Sequence, residues 1–117
     1  MDFSAAPKIP MSSPDLGAEE REAVLQVLNT NYLSMGPFFR DFEQAFRDFT
    51  GAKHAIAVSF GTAGLHCCVR AAGIEAGDLV LTTPFSFVSS TNVILFENAI
   101  PVFVDAEPQT GNIDVVQ

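Results

Sequence analysis

Basic residues, cysteine and long apolar runs are all scarce in this sequence. Lysine and arginine together number 6 of 117 residues, against 14 aspartates and glutamates, for a formal charge of −8. No basic cluster exists, which argues against nucleic acid as a partner. A phosphate ligand would be held mainly by backbone N–H groups and hydroxyls. No apolar run approaches the roughly 20 residues that span a bilayer, so no membrane is expected. Met1-Asp2-Phe3-Ser4 lacks the charged and apolar regions of a signal peptide. A soluble cytoplasmic protein is the expectation. The two cysteines, Cys67 and Cys68, are adjacent. Neighbours of this kind form a strained disulfide at best and do not match a zinc-ligand spacing; they read as core thiols. His54 and His66 have no acidic or cysteine partner at metal spacing, so no metal site is expected.

The strongest positive signal is Ala55-Ile56-Ala57-Val58-Ser59-Phe60-Gly61-Thr62-Ala63-Gly64-Leu65. Small and branched apolar residues read as a buried strand, and the stretch from Leu65 through Val69 to Ala72 reads as a helix. A strand that turns sharply into a helix aims free N–H groups and the positive end of the helix dipole at one point. That point suits a phosphate. The same turn also fits a plain tight turn at Gly61 with Thr62 as helix cap. It lacks Gly-x-Gly-x-x-Gly, which argues against a dinucleotide-binding fold.

The rest of the chain organises around this turn. Residues 1–13 have no period and hold Pro7 and Pro10, so they read as an extended N-terminal arm. Ser13-Pro14-Asp15-Leu16-Gly17 opens a helix with a Val24, Val27, Leu28 stripe. Gly36-Pro37 opens a second helix, on which Phe39, Phe42, Phe46 and Phe49 form one apolar face, read as core packing; Gly51 ends it. Beyond Gly51 the pattern predicts a strand over His54 to Ser59, a helix over Thr62 to Ala72, and a strand over Leu79 to Thr82. A loop and helix over Pro84 to Asn98 and a strand over Pro101 to Val104 follow. Asp114 is placed to cap a further helix at Val115 and Val116. This is an α/β arrangement, a mostly parallel sheet with helices on both faces. Ligands in such sheets bind beyond the carboxyl ends of the strands. The Ser59–Thr62 turn, Thr82–Phe87 and Asp105 should therefore share one rim.

The ordered set Ser13-Pro14-Asp15-Leu16-Gly17, Gly36-Pro37, Phe42-Glu43, Ser59-Phe60-Gly61-Thr62-Ala63, Gly77-Asp78-Leu79-Val80, Phe85-Ser86-Phe87-Val88-Ser89-Ser90 and Pro101-Val102-Phe103-Val104-Asp105 resembles the N-terminal part of the DegT–DnrJ–StrS aminotransferases. These are pyridoxal 5'-phosphate (PLP) enzymes of fold type I acting mainly on nucleotide-linked keto-sugars. The resemblance implies that residues 14–117 are the first, incomplete part of the PLP-binding large domain. It assigns the cofactor phosphate to Gly61, Thr62 and Ala63, and stacking on the pyridine ring to Phe87. It places Ser34 and Gly36 near the sugar substrate. It further implies an amino-acid donor, often glutamate, ping-pong amino transfer, and a homodimer when intact. Phe60 and Gly64 depart from the residues usual in the family at those positions, yet neither removes a donor.

The resemblance also defines what is missing. The chemistry needs a lysine to form a Schiff base with the cofactor and a carboxylate to protonate its ring nitrogen. In the family both lie well beyond position 117. Lys8 and Lys53 are the only lysines and neither sits at the matching position. No catalytic residue is therefore named, and residues 1–117 alone are expected to be inactive. Two alternatives stand beside the aminotransferase. One is a sugar dehydratase of the same family, with histidine in place of that lysine. The other is a non-catalytic domain binding a phosphate ester or nucleotide in the same cup.

Overall fold

Glycine and proline mark where the first two helices begin and end. The computed structural model describes residue 10 and residues 12–115. Most of the expected N-terminal arm lies outside these residues, as does Val116 of the helix expected after Asp114; Val115, its expected first residue, lies in a turn and is exposed. The chain divides into two compact units, Met1–Ala57 and Val58–Gln117.

The first unit carries α1 (Ala18–Leu28) and α2 (Pro37–Thr50). Helix α1 starts at Gly17, whose amide donates to Glu20 Oε2 at 2.6 Å. The Glu20 carboxylate thus satisfies one orphan donor and lies at the positive end of the dipole. Helix α2 starts as expected, with Gly36 as N-cap and Pro37 in its first turn. It ends at Gly51, whose φ of 70° is left-handed and whose amide donates to the Arg47 carbonyl at 2.8 Å. The aromatic stripe on α2 is real: Phe42 and Phe46 meet at 6.2 Å between ring centroids. The expectation that it is core is corrected, since Phe42, Phe46 and Phe49 are exposed. No described element of this unit covers them.

The expected strand over His54 to Ser59 is also corrected. Residues 54–58 carry no strand pairing, and Ile56 is 82% exposed. A strand needs a ladder, and no described strand pairs with these residues. The Ala57 amide donates instead to Glu43 Oε1 at 2.9 Å.

The second unit carries α3 (Gly61–Ala71), β1 (Leu79–Thr82), α4 (Ser89–Phe96) and β2 (Ile100–Phe103). The sheet has two strands where three were expected. β1 and β2 pair in parallel, Leu79 opposite Ile100 and Thr82 opposite Phe103. Val93, Ile94 and Ala99 are buried to 3% exposure or less and form the core, with Thr82 and Ser89 beside them. Leu79 and Leu81 stay exposed on the opposite face of β1, as the two-residue period dictates. After β2 the chain turns back on itself: Ala106 bridges Ile113 in antiparallel fashion, and the Asp114 amide donates to the Asp105 carbonyl at 2.8 Å.

Helices α3 and α4 are tied by polar contacts at their C-terminal halves. His66 Nε2 lies 2.5 Å from Glu97 Oε1, and Arg70 Nη1 lies 3.2 and 3.1 Å from the two Glu97 oxygens. Because an ionised carboxylate only accepts, the proton of the His66 bond sits on Nε2. The His66 ring also meets Phe96 edge-on, 5.3 Å between centroids. The half-buried residues of α3 are Thr62, Ala63, Gly64, His66 and Val69. Cys67 and Cys68 fall off that stripe and are exposed, which corrects their reading as core thiols. One helical position turns the chain by about 100°, so neighbours of His66 cannot share its face.

A Cβ at Gly51 would meet nothing within 4 Å, so Gly51→Ala carries only a backbone cost, about 1–2 kcal/mol; urea unfolding of the full chain measures it. The Glu97 carboxyl is held below its ordinary value of 4.5, chiefly by the His66 hydrogen bond and then by the Arg70 charge. A lowered folded-state pKa gives stability that is present above the unfolded value and lost as pH falls through the folded one. The melting temperature of the wild type should therefore approach that of Glu97→Gln as pH falls below the ordinary carboxyl value and through the lower folded one.

Candidate functional site

A phosphate-sized anion needs donors that nothing else uses, and the start of α3 supplies them. Its N-cap is Phe60, in extended backbone at φ −166° and ψ 164°, and Phe60 has no side-chain oxygen to cap the helix. The amides of Ala63 and Gly64 both donate to the Phe60 carbonyl, at 3.0 and 3.3 Å. Among the described residues nothing accepts from the amides of Gly61 and Thr62. Thr62 is the second residue of the helix rather than its cap, and its hydroxyl makes no hydrogen bond among the described residues. The open donors are thus the Gly61 amide, the Thr62 amide and the Thr62 hydroxyl. The Ala63 amide, expected to join them, is already engaged.

Glycine at 61 is not explained by the fold. Its φ is not left-handed, and a Cβ there would meet nothing within 4 Å. In a helix, glycine is the less stable choice by up to about 1 kcal/mol. Close approach of a ligand to the backbone is a reason to keep it. Electrostatics in this unit point the same way. Arg70 is the sole lysine or arginine in residues 58–117, and it is engaged with Glu97. An anion at Gly61 and Thr62 would be held by neutral donors and the α3 dipole.

Phe87 lies immediately before Val88, the N-cap of α4, and is 75% exposed. The contact of His66 and Arg70 with Glu97 brings the C-terminal half of α3 to the end of α4. The two helices therefore meet at Glu97. Gly61 and Thr62 open α3, and Phe87 precedes α4. Because α4 connects two parallel strands, its start lies at the carboxyl end of β1. Thr83–Phe87 and Asp105 follow the ends of β1 and β2 as expected. No strand precedes the Ser59–Thr62 turn, so its place comes from α3.

Ser34 and Gly36 belong to the first unit, in the loop between α1 and α2. Ser34 is exposed. Gly36 is needed by packing, because a Cβ there would lie 2.8 Å from Tyr32 Cβ and 3.2 Å from the Tyr32 carbonyl oxygen. Met35, just before it, holds a left-handed φ of 53°. A shallow pocket beside this loop is lined by Tyr32, Met35, Gly36, Pro37, Arg40 and Asp41. Sequence reasoning named Phe60 only as a departure from the family's usual residue and not as the N-cap of α3, and did not single out Tyr32 or Arg40. Among the described residues no group of histidine, cysteine and carboxylate could hold a metal ion, and no helix is long and apolar enough to cross a membrane.

Comparison with known proteins adds a second line of argument. Residues 14–117 match the DegT/DnrJ/EryC1/StrS aminotransferase family. The chain is 44% identical over 109 residues to the spore coat polysaccharide biosynthesis protein SpsC of Bacillus subtilis, covering 93% of this chain and 28% of that protein. It is 39% identical over 116 residues to the GDP-perosamine synthase of Caulobacter vibrioides, covering 98% and 31%. Its structure resembles a Streptococcus pneumoniae protein assigned as a sugar aminotransferase, in the PLP form, with a TM-score of 0.82 and 27% identity over 91% of this chain and 27% of that one. The Escherichia coli GDP-4-keto-6-deoxy-D-mannose-3-dehydratase with bound hydrated PLP gives a TM-score of 0.82 at 23% identity, covering 93% of this chain and 30% of that one, a likeness of fold alone. The chain spans under a third of the length of these curated relatives.

The two glycines should separate in a test. Gly36→Ala is expected to destabilise the full chain by about 1–3 kcal/mol through overpacking against Tyr32. Gly61→Ala should leave stability unchanged or slightly raised. Urea midpoints of the two variants decide this, and an equal loss in both would show that Gly61 is structural.

Proposed function

Because the chain belongs to the DegT/DnrJ/EryC1/StrS aminotransferase family, we propose that the whole enzyme containing it transfers an amino group to a nucleotide-linked keto-sugar, with PLP as cofactor. The fold is part of the type I fold of PLP enzymes. The amino donor is an amino acid, glutamate in the first instance, and the working enzyme is a cytoplasmic homodimer. Residues 14–117 supply the first part of the cofactor-binding large domain.

The observation that carries this reading is the uncapped start of α3. The open amides of Gly61 and Thr62 and the Thr62 hydroxyl fit a phosphate monoester, and Gly61 leaves room for one. When bound, PLP supplies the electron sink that amino transfer requires. The residues of this chain bind and orient it. Gly61 and Thr62 donate to the phosphate and anchor that end. The Phe87 ring offers an exposed apolar face against which a flat aromatic ring can lie. Ser34 and Gly36 line the loop assigned to the sugar. The name of the Caulobacter relative, which specifies a GDP-linked amino sugar, favours amination over dehydration.

Thr62→Val tests the phosphate role. The substitution keeps shape and branching and removes the hydroxyl. Loss of a charge-assisted hydrogen bond costs about 1.5–3 kcal/mol, so the PLP dissociation constant of the whole enzyme should rise roughly ten- to a hundredfold. Since Thr62 is not the helix cap, the cofactor-free protein should change by no more than about 0.5 kcal/mol. Absorbance titration with PLP and thermal unfolding without it give both quantities. An unchanged dissociation constant removes Thr62 from the site.

A further inference from the structure

Two sides of the proposed cofactor site stand on different helices, so something must set their spacing. The phosphate donors open α3 and Phe87 precedes α4. Among the described residues, α3 packs on α4 through half-buried side chains, none of them fully buried. Its half-buried face includes Ala63 and Gly64, which offer little relief against sliding. What interlocks the two helices is polar and directional. Glu97, at the C-cap of α4 and 12% exposed in its side chain, accepts from His66 at 2.5 Å and from Arg70 at 3.1 and 3.2 Å. The edge-on contact of His66 with Phe96 adds a second constraint from the same two residues' neighbourhood. Charge-assisted bonds of this kind hold geometry more tightly than dispersion contacts do. A slip of one residue along α3 is about 1.5 Å, and it would break all of these bonds together.

We propose that Glu97, acting through His66 and Arg70, is a positioning residue for the cofactor: it locks α3 to α4 and thereby sets the separation between the phosphate donors at Gly61 and Thr62 and the ring face of Phe87. The proposal rests on the reading of Gly61, Thr62 and Phe87 as the cofactor site. Glu97 itself touches no cofactor. It sits at the C-terminal end of α4 and against the second half of α3, ten residues and roughly 15 Å along the chain from Phe87. Its influence is therefore on alignment, and a purely stabilising ion pair would not share it.

The test is a double-mutant cycle in the whole enzyme, read by the PLP dissociation constant and by visible circular dichroism of the bound PLP. Glu97→Gln is expected to raise the dissociation constant roughly five- to fiftyfold, in the range of coupled neighbouring sites, and to alter the visible dichroism. In a Phe87→Ala background the same change should have little further effect, since no ring remains to be placed. His66→Gln, which keeps an N–H donor, should retain most of the affinity, whereas His66→Ala should behave as Glu97→Gln does. The His66 pair carries the test alone should Glu97→Gln fail to fold. The positioning role is overturned if Glu97→Gln lowers only the melting temperature, with affinity and dichroism unchanged, or if its effect adds fully to that of Phe87→Ala. If instead Thr62→Val and Phe87→Ala both leave the dissociation constant unchanged, the cofactor-site reading itself fails, and the positioning role falls with it.

Discussion

Parallel pairing of β1 with β2 is the constraint from which the geometry of residues 58–117 follows. Two parallel strands cannot be joined by a tight turn. The chain must leave the carboxyl end of β1, cross the sheet and return to the amino end of β2. Helix α4 is that crossing, and Val93 and Ile94 bury against the strands as it passes. The carboxyl ends of both strands are then obliged to lie together, and the start of α4 lies with them. Glu97, at the other end of α4, ties it to α3. Strand direction thus places Phe87, and the link to α3 is a matter of side chains.

Signals that need only local chemistry were legible in the sequence, and those that need a distant partner were not. Gly36-Pro37 and Gly51 bounded α2 because a proline in the first turn and a left-handed glycine after the last act within a few residues. Leu79–Thr82 was read to the residue, and Ile100–Phe103 within one position. The run from His54 to Ser59 has the composition of a strand, yet strand formation depends on a ladder from elsewhere, and no described strand pairs with it. The phenylalanine face of α2 failed as a core for the same reason: periodicity shows which side is apolar and says nothing about what covers it. Cys67 and Cys68 were misplaced because burial by residue type ignored the helical phase set by His66. The clamp of Glu97 on His66 and Arg70 joins residues 31 and 27 apart in sequence, and no pattern of spacing announces it.

The site is notable for how little charge it uses. A phosphate carries up to two negative charges, and this chain is itself strongly acidic. Within residues 58–117, the single arginine is spent on Glu97 at the opposite end of α3 from the donors. That arrangement is coherent electrostatically. A cation in the last turn of α3 complements the negative end of its dipole, while the positive end stays free for an anion. Placing Arg70 at the phosphate instead would strengthen binding and dissolve the link to α4. On the proposed reading, neutral donors fixed by the backbone would hold the phosphate, and the formal charge goes to the link between α3 and α4.

Phe60 and Gly61 together show how function can be read from a departure from folding rules. A helix start ordinarily takes serine, threonine, aspartate or asparagine at the cap, because a side-chain oxygen satisfies an orphan amide. Here the cap is phenylalanine, and the next residue is a glycine whose conformation any residue could adopt. Each choice lowers the stability of α3, and neither is returned by packing: Phe60 is 62% exposed, and the space beside Gly61 is open. A self-capping residue would fill the position that an incoming oxyanion needs, and a β-carbon would crowd it. The missing cap leaves the Thr62 amide without a side-chain partner, and the missing β-carbon leaves space beside it. Their coincidence at one helix end is the feature of this backbone that supports the proposed phosphate reading.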